Sequence, residues 1–241
     1  MAEFKFPTEE VKLPSKGLLY PEGHPLASGV VNIKYMTAKE EDILTNQNYI
    51  AKGTVLDKLL ESVIVDDVKL DDFLIGDKNA VLIATRILGY GKEYKFSYRG
   101  EEQEIDLTTL DNKEFDESII ERGRNEFPFT LPSTGTQITY KLLTGADEKK
   151  VDREVLGLQK LNKNSSPELS TRLKHTITSV EGDDDTKTIR EFVDNQLLAR
   201  DSRALREHIR VSQPDVDLNV ILDSGEEVKV PIGLNFFWPD L

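Results

Sequence analysis

The residues best suited to proton transfer in this chain are its three histidines, His24, His175 and His208. A hydrolytic triad needs a histidine within reach of a serine, threonine or cysteine nucleophile. His24 lies in a proline-rich stretch that would hold a base poorly, and no nucleophile-elbow sequence flanks the other two. We therefore predict no catalytic residue, and interpret the three side chains as surface or partly packed imidazoles.

Two further patterns resemble ligand sites but lack the spacing that such sites need. The run Asp183-Asp184-Asp185 is without the alternate-residue ligands, central glycine and terminal glutamate of a calcium loop. Gly89-Tyr90-Gly91 follows a predicted helix and precedes a predicted strand, the reverse of the order that aims backbone amides at a phosphate. Cysteine is absent, which excludes thiolate ligands. We predict a solvated turn and a helix stop, with no metal and no cofactor.

Three arginines recur at positions that share one face of a predicted helix. Arg203, Arg206 and Arg210 are spaced i, i+3 and i+7. In so acidic a chain this basic stripe has two interpretations: it binds acidic loops of a partner, or it is a solvated face that balances nearby acids. The three arginines are therefore candidate partner-binding residues.

The C-terminal segment 234–241 contains three consecutive aromatic residues, Phe236, Phe237 and Trp238. Neighbouring side chains of a strand point to opposite faces, so the three cannot share one face, and tryptophan is enriched at interface hot spots. In one interpretation one or two of them pack into the core and the rest cover an edge. In the other the segment is a docking peptide, and the three residues bind a partner.

Residues 1–29 are predicted to form an extended arm. Four prolines and three glycines in this stretch rule out a regular helix. Its apolar residues, which include Leu18, Leu19 and Tyr20, must be placed either across the arm's own domain or on a neighbouring protein. These three complete the candidate partner-binding residues.

The elements that would position these residues begin with a strand and a capped helix. Thr37 is followed three residues later by Glu40, as in a capping box. The elements predicted for this part of the chain are a strand over 30–36, a helix from Ala38, a helix after Gly53, a helix over 77–88, and a hairpin with strands 94–98 and 103–107. They form a first series.

A second series resembles the first. After a loop-rich middle over 108–126, Thr144 and the acids that follow it echo Thr37 and its acids. The elements predicted here are a strand over 136–143, a helix over 201–209, and a hairpin with strands 218–222 and 228–232. The offset between matching positions drifts, so the second series would carry insertions such as the turn 181–185.

The two series together predict an α+β fold of two related small lobes, each with a strand, helices and a β-hairpin. We predict an extended arm over 1–29, a first lobe over 30–125 and a second lobe over 126–241 that ends in the aromatic tail. A chain of 241 residues with 38% hydrophobic residues is large enough to bury a core in this way.

Charge and hydropathy limit the kinds of partner that the chain is expected to bind. The net charge of −13, from 44 acidic and 31 basic residues, repels both a phosphate backbone and an anionic membrane surface. We therefore predict neither nucleic acid nor membrane as a partner, and expect a basic protein surface instead. No segment approaches the roughly 18 apolar residues of a membrane span, and the N-terminus lacks a signal-peptide pattern, which predicts a soluble, untranslocated protein.

Four stretches of the first half resemble a known family. In chain order they are Leu13-Pro14-Ser15-Lys16-Gly17-Leu18-Leu19-Tyr20, Met36-Thr37-Ala38-Lys39-Glu40-Glu41-Asp42-Ile43-Leu44-Thr45-Asn46, Gly53-Thr54-Val55-Leu56 and Ala84-Thr85-Arg86-Ile87-Leu88-Gly89-Tyr90-Gly91. Their order is similar to that of the T4-type bacteriophage baseplate protein family, over residues 10–110, and the aromatic-proline ending adds to the likeness.

The resemblance implies a baseplate hub structural or assembly protein without enzymatic activity. It implies other phage baseplate hub or wedge proteins as partners, and a place in the host cytoplasm during tail assembly and in the virion baseplate. Some members carry a cysteine pair in the first hairpin, where this chain has Tyr98-Arg99-Gly100-Glu101-Glu102, so no metal site is carried over. Two alternatives stay open: a transient assembly chaperone absent from the mature virion, and an uncharacterised hydrolase. The oligomeric state is also open.

Overall fold

The computed structural model describes residues 7–161, 167–222 and 224–237, and the α+β prediction is confirmed for these residues. The helices described are α1 (Ala38–Leu44), α2 (Gln47–Ala51), α3 (Val55–Val63), α4 (Ile75–Tyr90), α5 (Gly145–Leu161), α6 (Glu168–Thr176), α7 (Thr186–Asn195) and α8 (Ala199–Ser212). The strands described are β1 (Thr8–Lys12), β2 (Val30–Lys34), β3 (Glu93–Tyr98), β4 (Glu101–Asp106), β5 (Phe127–Thr130), β6 (Gln137–Tyr140), β7 (Ile177–Val180), β8 (Asn219–Ile221) and β9 (Glu227–Lys229).

The described part of the predicted N-terminal arm is built into the first half of the molecule. β1 pairs with β2 in an antiparallel ladder, and the turns between them bury Leu13, Leu19 and Leu26. Of the two placements left open for the arm, across its own domain or on a neighbouring protein, the structure shows the first for residues 7–29. An extended segment leaves its backbone groups unpaired unless it joins a strand, and β2 supplies that partner.

The buried carboxylate of Asp77 joins the first turn of α4 to the turn after β1 by hydrogen bonds, and we call this contact a clasp. Asp77 accepts hydrogen bonds from the Ser15 backbone amide at 2.9 Å and from the Ser15 hydroxyl at 2.7 Å. Both residues are fully buried. Because three buried donors converge on this carboxylate, counting the Tyr20 hydroxyl at 2.6 Å, the turn is held firmly against the helix.

The same clasp occurs in the second half. Asp201, in the first turn of α8, accepts from the Ser133 amide at 2.7 Å and from the Thr134 hydroxyl at 3.1 Å. The two clasps begin with the same tripeptide, Leu-Pro-Ser, at residues 13–15 and 131–133. The repeat was not predicted, because the first tripeptide lies in the stretch 1–29 that was predicted to be an extended arm.

The caps of α1 and α5 also correspond, as the matching Thr-acid patterns predict. Glu40 accepts from the Thr37 backbone amide at 2.8 Å and from the Lys34 ammonium at 2.8 Å, and the capping box is confirmed. Asp147 accepts from the Lys141 ammonium at 2.8 Å and from the Thr144 backbone amide at 3.3 Å. Each helix start is thus anchored to the end of the preceding strand.

In both halves a third segment pairs with the second strand, which is β2 in the first half and β6 in the second. Ile33 of β2 bridges to Ile64, which directly follows α3. Tyr140 of β6 pairs with Ile177 of β7, which directly follows α6. The two halves therefore repeat the same elements in the same order. Each has an antiparallel strand pair (β1–β2 and β5–β6), a helix with a capped start (α1 and α5) and a helix that leads into the third segment (α3 and α6). Each then has a helix whose first turn carries the clasping aspartate (α4 and α8) and a β-hairpin (β3–β4 and β8–β9).

Element ends agree with prediction most closely where glycine sets them. Gly91, at φ +85°, ends α4 as expected, although the helix runs from Ile75 through Gly89 to Tyr90 and not from Asp77 to Leu88. β3 and β4 are joined by Arg99 and Gly100, both at positive φ, which suits a two-residue hairpin turn. The second hairpin is confirmed but shorter than predicted, over β8 and β9.

Within residues 145–195 the sequence predicts only the first turn of α5, from Thr144 and the acids that follow it, and it does not predict α6, β7 or α7. α5 has only three buried residues over seventeen, so its apolar periodicity is weak. The predicted turn 181–185 is confirmed, with Glu181 and Gly182 at positive φ. α2, in the first half, was also missed because five residues are too few for a periodic signal.

The two halves are in direct contact. The Gly145 amide donates to the Phe73 carbonyl at 2.9 Å, and Leu74 forms an antiparallel bridge with Thr144. Buried apolar residues of both halves belong to one hydrophobic cluster. The division between lobes at residues 125 and 126 stays a prediction.

Candidate interaction surface

Two of the three predicted contact residues near the N-terminus have an intramolecular role. Leu19 and Tyr20 are buried, and Leu18 is half-buried. The Tyr20 hydroxyl donates to Asp77 and accepts from the Leu74 amide at 2.9 Å, and burial together with Asp77 strongly raises the pKa of this hydroxyl. Side chains that fill the chain's own core are not available to a partner, so the prediction is corrected for Leu19 and Tyr20.

Phe236 and Phe237 are fully buried in a 3-10 turn, Leu234–Phe237. A buried arginine holds this turn: Arg86 donates from Nε to the Phe236 carbonyl at 2.8 Å. Its terminal nitrogens donate to the carbonyls of Gly91 at 2.8 Å and Glu93 at 3.1 Å. The two phenylalanines are therefore core residues, and their assignment as partner contacts is corrected. Trp238 lies outside the described residues.

The predicted arginines do form one exposed face. Arg203, Arg206 and Arg210 lie on α8 with exposed side chains, and Arg200 lies one turn before them. The opposite side of the helix carries the buried Asp201 and Leu205. We call Arg200, Arg203, Arg206 and Arg210 the arginine face.

Most of this face lacks internal charge partners. Arg210 pairs with Glu207 at 2.6 Å. Among the described residues, no carboxylate lies within 4.0 Å of the other three guanidinium groups. Four arginines elsewhere form ion pairs, namely Arg99, Arg124, Arg172 and Arg190. The interpretation of the stripe as a face balanced by its own acids therefore holds for Arg210, which pairs with Glu207, and in part for Arg203, whose charge also acts on Glu207.

An apolar groove of about 220 Å³ adjoins the arginine face. Arg206 and Ile209 of α8 form one wall, and Leu169 and Leu173 of α6 form the other. Its remaining apolar lining includes Leu74, Leu142, Leu143 and Pro214. We call this feature the α6–α8 groove.

Only two of the three positively charged side chains at the edge of the α6–α8 groove form ion pairs with other described residues. Arg172 forms a bidentate ion pair with Glu148, and Lys141 pairs with Asp147 at 2.8 Å. Arg206 is the lining cation that has no such partner among the residues described. The groove thus combines an apolar interior with one uncompensated positive charge.

A glycine shapes the floor of the groove. Gly76 lies in the first turn of α4, where a Cβ atom would stand 2.1 Å from the Pro214 carbonyl oxygen. Only glycine permits this approach, because real Cβ atoms do not come so close to backbone oxygen. The close contact between Gly76 and Pro214 thus forms the floor of the groove, where the first half meets the segment that follows α8. The sequence offered no signal for it beyond Arg206.

The histidines have partners that account for their positions. His175 contacts Glu154 at 2.9 Å, and His24 contacts Asp72 at 3.4 Å. The His208 ring stacks on Phe129 with centroids 4.7 Å apart, and burial lowers its pKa. None of these described contacts pairs an imidazole with a hydroxyl nucleophile.

The described residues show neither a cluster of metal ligands nor a membrane-spanning helix. In 7–161, 167–222 and 224–237, no group of three or more His, Asp or Glu side chains is arranged to hold a metal ion. No helix in this part of the chain is long and apolar enough to cross a membrane.

Comparison with models of known protein families found no match. Comparisons with curated proteins and with solved structures also found none.

Proposed function

We propose that this chain is a structural or assembly protein of a T4-type phage baseplate hub that acts through contacts with other baseplate proteins. The ordered resemblance over residues 10–110 supports this proposal. The observation that carries the contact function is the arginine face beside the α6–α8 groove, since three of its exposed guanidinium groups have no carboxylate of the described residues within 4.0 Å.

The physical character of that surface suits protein contact. Arginine is enriched at interface hot spots, and its planar group recognises carboxylates with two parallel hydrogen bonds. An apolar groove next to such a residue provides the hydrophobic burial that stabilises a complex. The remaining surface is acidic, which keeps the chain soluble until it meets a complementary partner.

The test is composition analysis of assembling tails by quantitative mass spectrometry. A tagged copy of the chain would be produced during infection by the phage that encodes it, and hub intermediates and finished particles would be purified separately. We expect the chain to co-purify with hub proteins in at least one of the two fractions. Presence in intermediates alone would identify an assembly chaperone, whereas absence from both fractions would contradict the proposal.

A further inference from the structure

The arginine face concentrates four positive charges, of which Arg210 alone forms an ion pair among the described residues. Arg200, Arg203 and Arg206 succeed one another at intervals of three residues on α8. Like charges at this spacing repel one another and destabilise a helix. Glu207 acts on Arg203 from a distance, but no carboxylate of the described residues lies within 4.0 Å of any of the three groups. An external carboxylate would relieve the repulsion.

The α6–α8 groove has the size of a side-chain site. Its volume of about 220 Å³ lies below the roughly 300–1,000 Å³ of sites for drug-sized ligands. A single large apolar side chain fits such a groove better than a cofactor does. Leu169, which is 47% exposed, leaves apolar surface at the rim that an occupant would cover.

Charge complementarity selects the occupant. With 44 acidic residues against 31 basic ones, the chain as a whole repels an acidic partner. The arginine face is a local exception to that repulsion, so an acidic segment would be steered to it and held in one register. A nucleic acid fits less well, since its phosphates extend beyond one helix face and would meet the surrounding acids.

We propose that the arginine face and the α6–α8 groove form one docking surface for an acidic segment of a partner protein. The segment inserts one large apolar side chain into the groove and sets carboxylates against Arg203 and Arg206. This inference rests on the proposed function, because the partner would be another baseplate protein.

Charge reversal tests the arginines, with a control that matches both charge and exposure. The variant Arg203→Glu with Arg206→Glu is compared with Arg122→Glu and Arg153→Glu, which are also exposed and without an ion-pair partner among described residues. We expect recovery with hub proteins to fall by roughly tenfold or more for the first pair and less than about twofold for the control. Circular dichroism would verify that both variants are folded.

A second pair of variants tests the groove. Leu169→Glu places a charge on its rim, whereas Leu156→Glu makes the same change on α5, where the leucine is 58% exposed. We expect loss of association for Leu169→Glu alone. Equal effects of the two substitutions would count against an apolar insertion at the groove.

Carbodiimide coupling identifies the chemistry of the partner directly, because it joins lysine amines to carboxylates. The variant Arg203→Lys with Arg206→Lys keeps the charge, and we expect its coupling products to contain an Asp or Glu of a baseplate protein near an apolar residue. Arg122→Lys with Arg153→Lys is the control.

The outcomes separate this inference from the proposed function. Suppose that the chain co-purifies with hub proteins, but the Glu substitutions at positions 203 and 206 do not reduce recovery and the Lys substitutions give no coupling product. The docking surface is then refuted, while the baseplate assignment stands. Loss of association after nuclease treatment would also refute it in favour of nucleic acid. If the unaltered chain does not associate with hub proteins at all, both proposals fail.

Discussion

Buried carboxylates in this protein connect secondary-structure elements. Glu40 is fully buried at the start of α1 and joins the helix to β2 through Lys34. Burial acts to raise the pKa of Glu40, but hydrogen bonds from the Lys34 ammonium and from two hydroxyl groups outweigh it and lower the pKa from 4.5 to about 2. The carboxylate therefore stabilises the fold in its charged form.

Glu40→Gln should make folding less dependent on pH. Since the folded pKa of Glu40 is depressed, its stabilisation is complete above pH 4.5 and is lost as the pH falls to about 2. At neutral pH we expect the variant to lower the free energy of unfolding by roughly 1–3 kcal/mol, and the difference to shrink below pH 4.5. Urea unfolding at a series of pH values measures this.

Glu10→Gln is the control for Glu40, because Glu10 is an exposed acid of β1. Its unfolding free energy should stay within about 0.5 kcal/mol of the unaltered chain. A difference between Glu40→Gln and the unaltered chain that is the same at neutral and acidic pH would contradict the role assigned to the Glu40 carboxylate.

The two clasping acids show that equivalent residues need not share an environment. Burial, the largest cause, raises the pKa of Asp77, and nearby Asp215 adds to it. Burial also acts to raise the pKa of Asp201, but hydrogen bonds from Ser133 and Thr134 outweigh it and the pKa falls. The surroundings of each carboxylate therefore decide whether its pKa is raised or lowered.

At the scale of elements, the C-terminal 3-10 turn Leu234–Phe237 is part of the core. Phe236 packs against Tyr94 edge to face, with ring centroids 4.8 Å apart, while Arg86 binds its carbonyl. The turn thereby connects α4 and the first hairpin to the end of the described chain. Extended segments that carry aromatics are as well suited to closing their own core as to docking.

Phe236→Ala should therefore destabilise the fold. Removing a fully buried phenylalanine leaves a cavity and is expected to cost roughly 3–5 kcal/mol. Thermal or urea unfolding would measure the loss. Ile221→Ala, at a side chain that is 78% exposed, is the control and should change stability by less than about 0.5 kcal/mol. Comparable stability of the two variants would show that the turn is not a core element.

At the scale of the whole molecule, close backbone approach joins the two halves. Gly76 lies against Pro214, and Gly145 lies with its Cβ position 2.7 Å from the Leu70 carbonyl oxygen. Both glycines are in the first turns of helices. A larger residue at either position would push one half away from the other.

Gly76→Ala and Gly157→Ala should change stability in opposite directions. Gly157 lies inside α5 with nothing within 4 Å of its Cβ position, so alanine should stabilise the fold by about 0.5–1 kcal/mol through helix propensity. At Gly76 the clash with Pro214 should outweigh that gain and cost roughly 1–3 kcal/mol. Calorimetry of both variants would test this, and stabilisation by Gly76→Ala would disprove the tight contact.

Local signals in the sequence predicted most of the elements outside 145–195. Thr37 with Glu40 marked a helix start, Gly91 marked a helix end, and Arg99-Gly100 marked a hairpin turn. Each signal works within a few residues, because caps and turns satisfy backbone groups that lie close in the chain. Three residues of the arginine face, Arg203, Arg206 and Arg210, were predictable for the same reason, from helical spacing, whereas Arg200 was not predicted.

Pairings between distant residues were decided by the tertiary structure. Whether Tyr20 and Phe236 meet a partner or the core depends on Asp77 and Arg86, which lie 57 and 150 residues away along the chain. The α6–α8 groove likewise needs Gly76 against Pro214. Burial is a property of the packed chain as a whole, so an apolar side chain in the sequence does not reveal which surface will cover it. Charge, composition and local periodicity belong to the sequence; the assignment of aromatic residues to core or surface belongs to the fold.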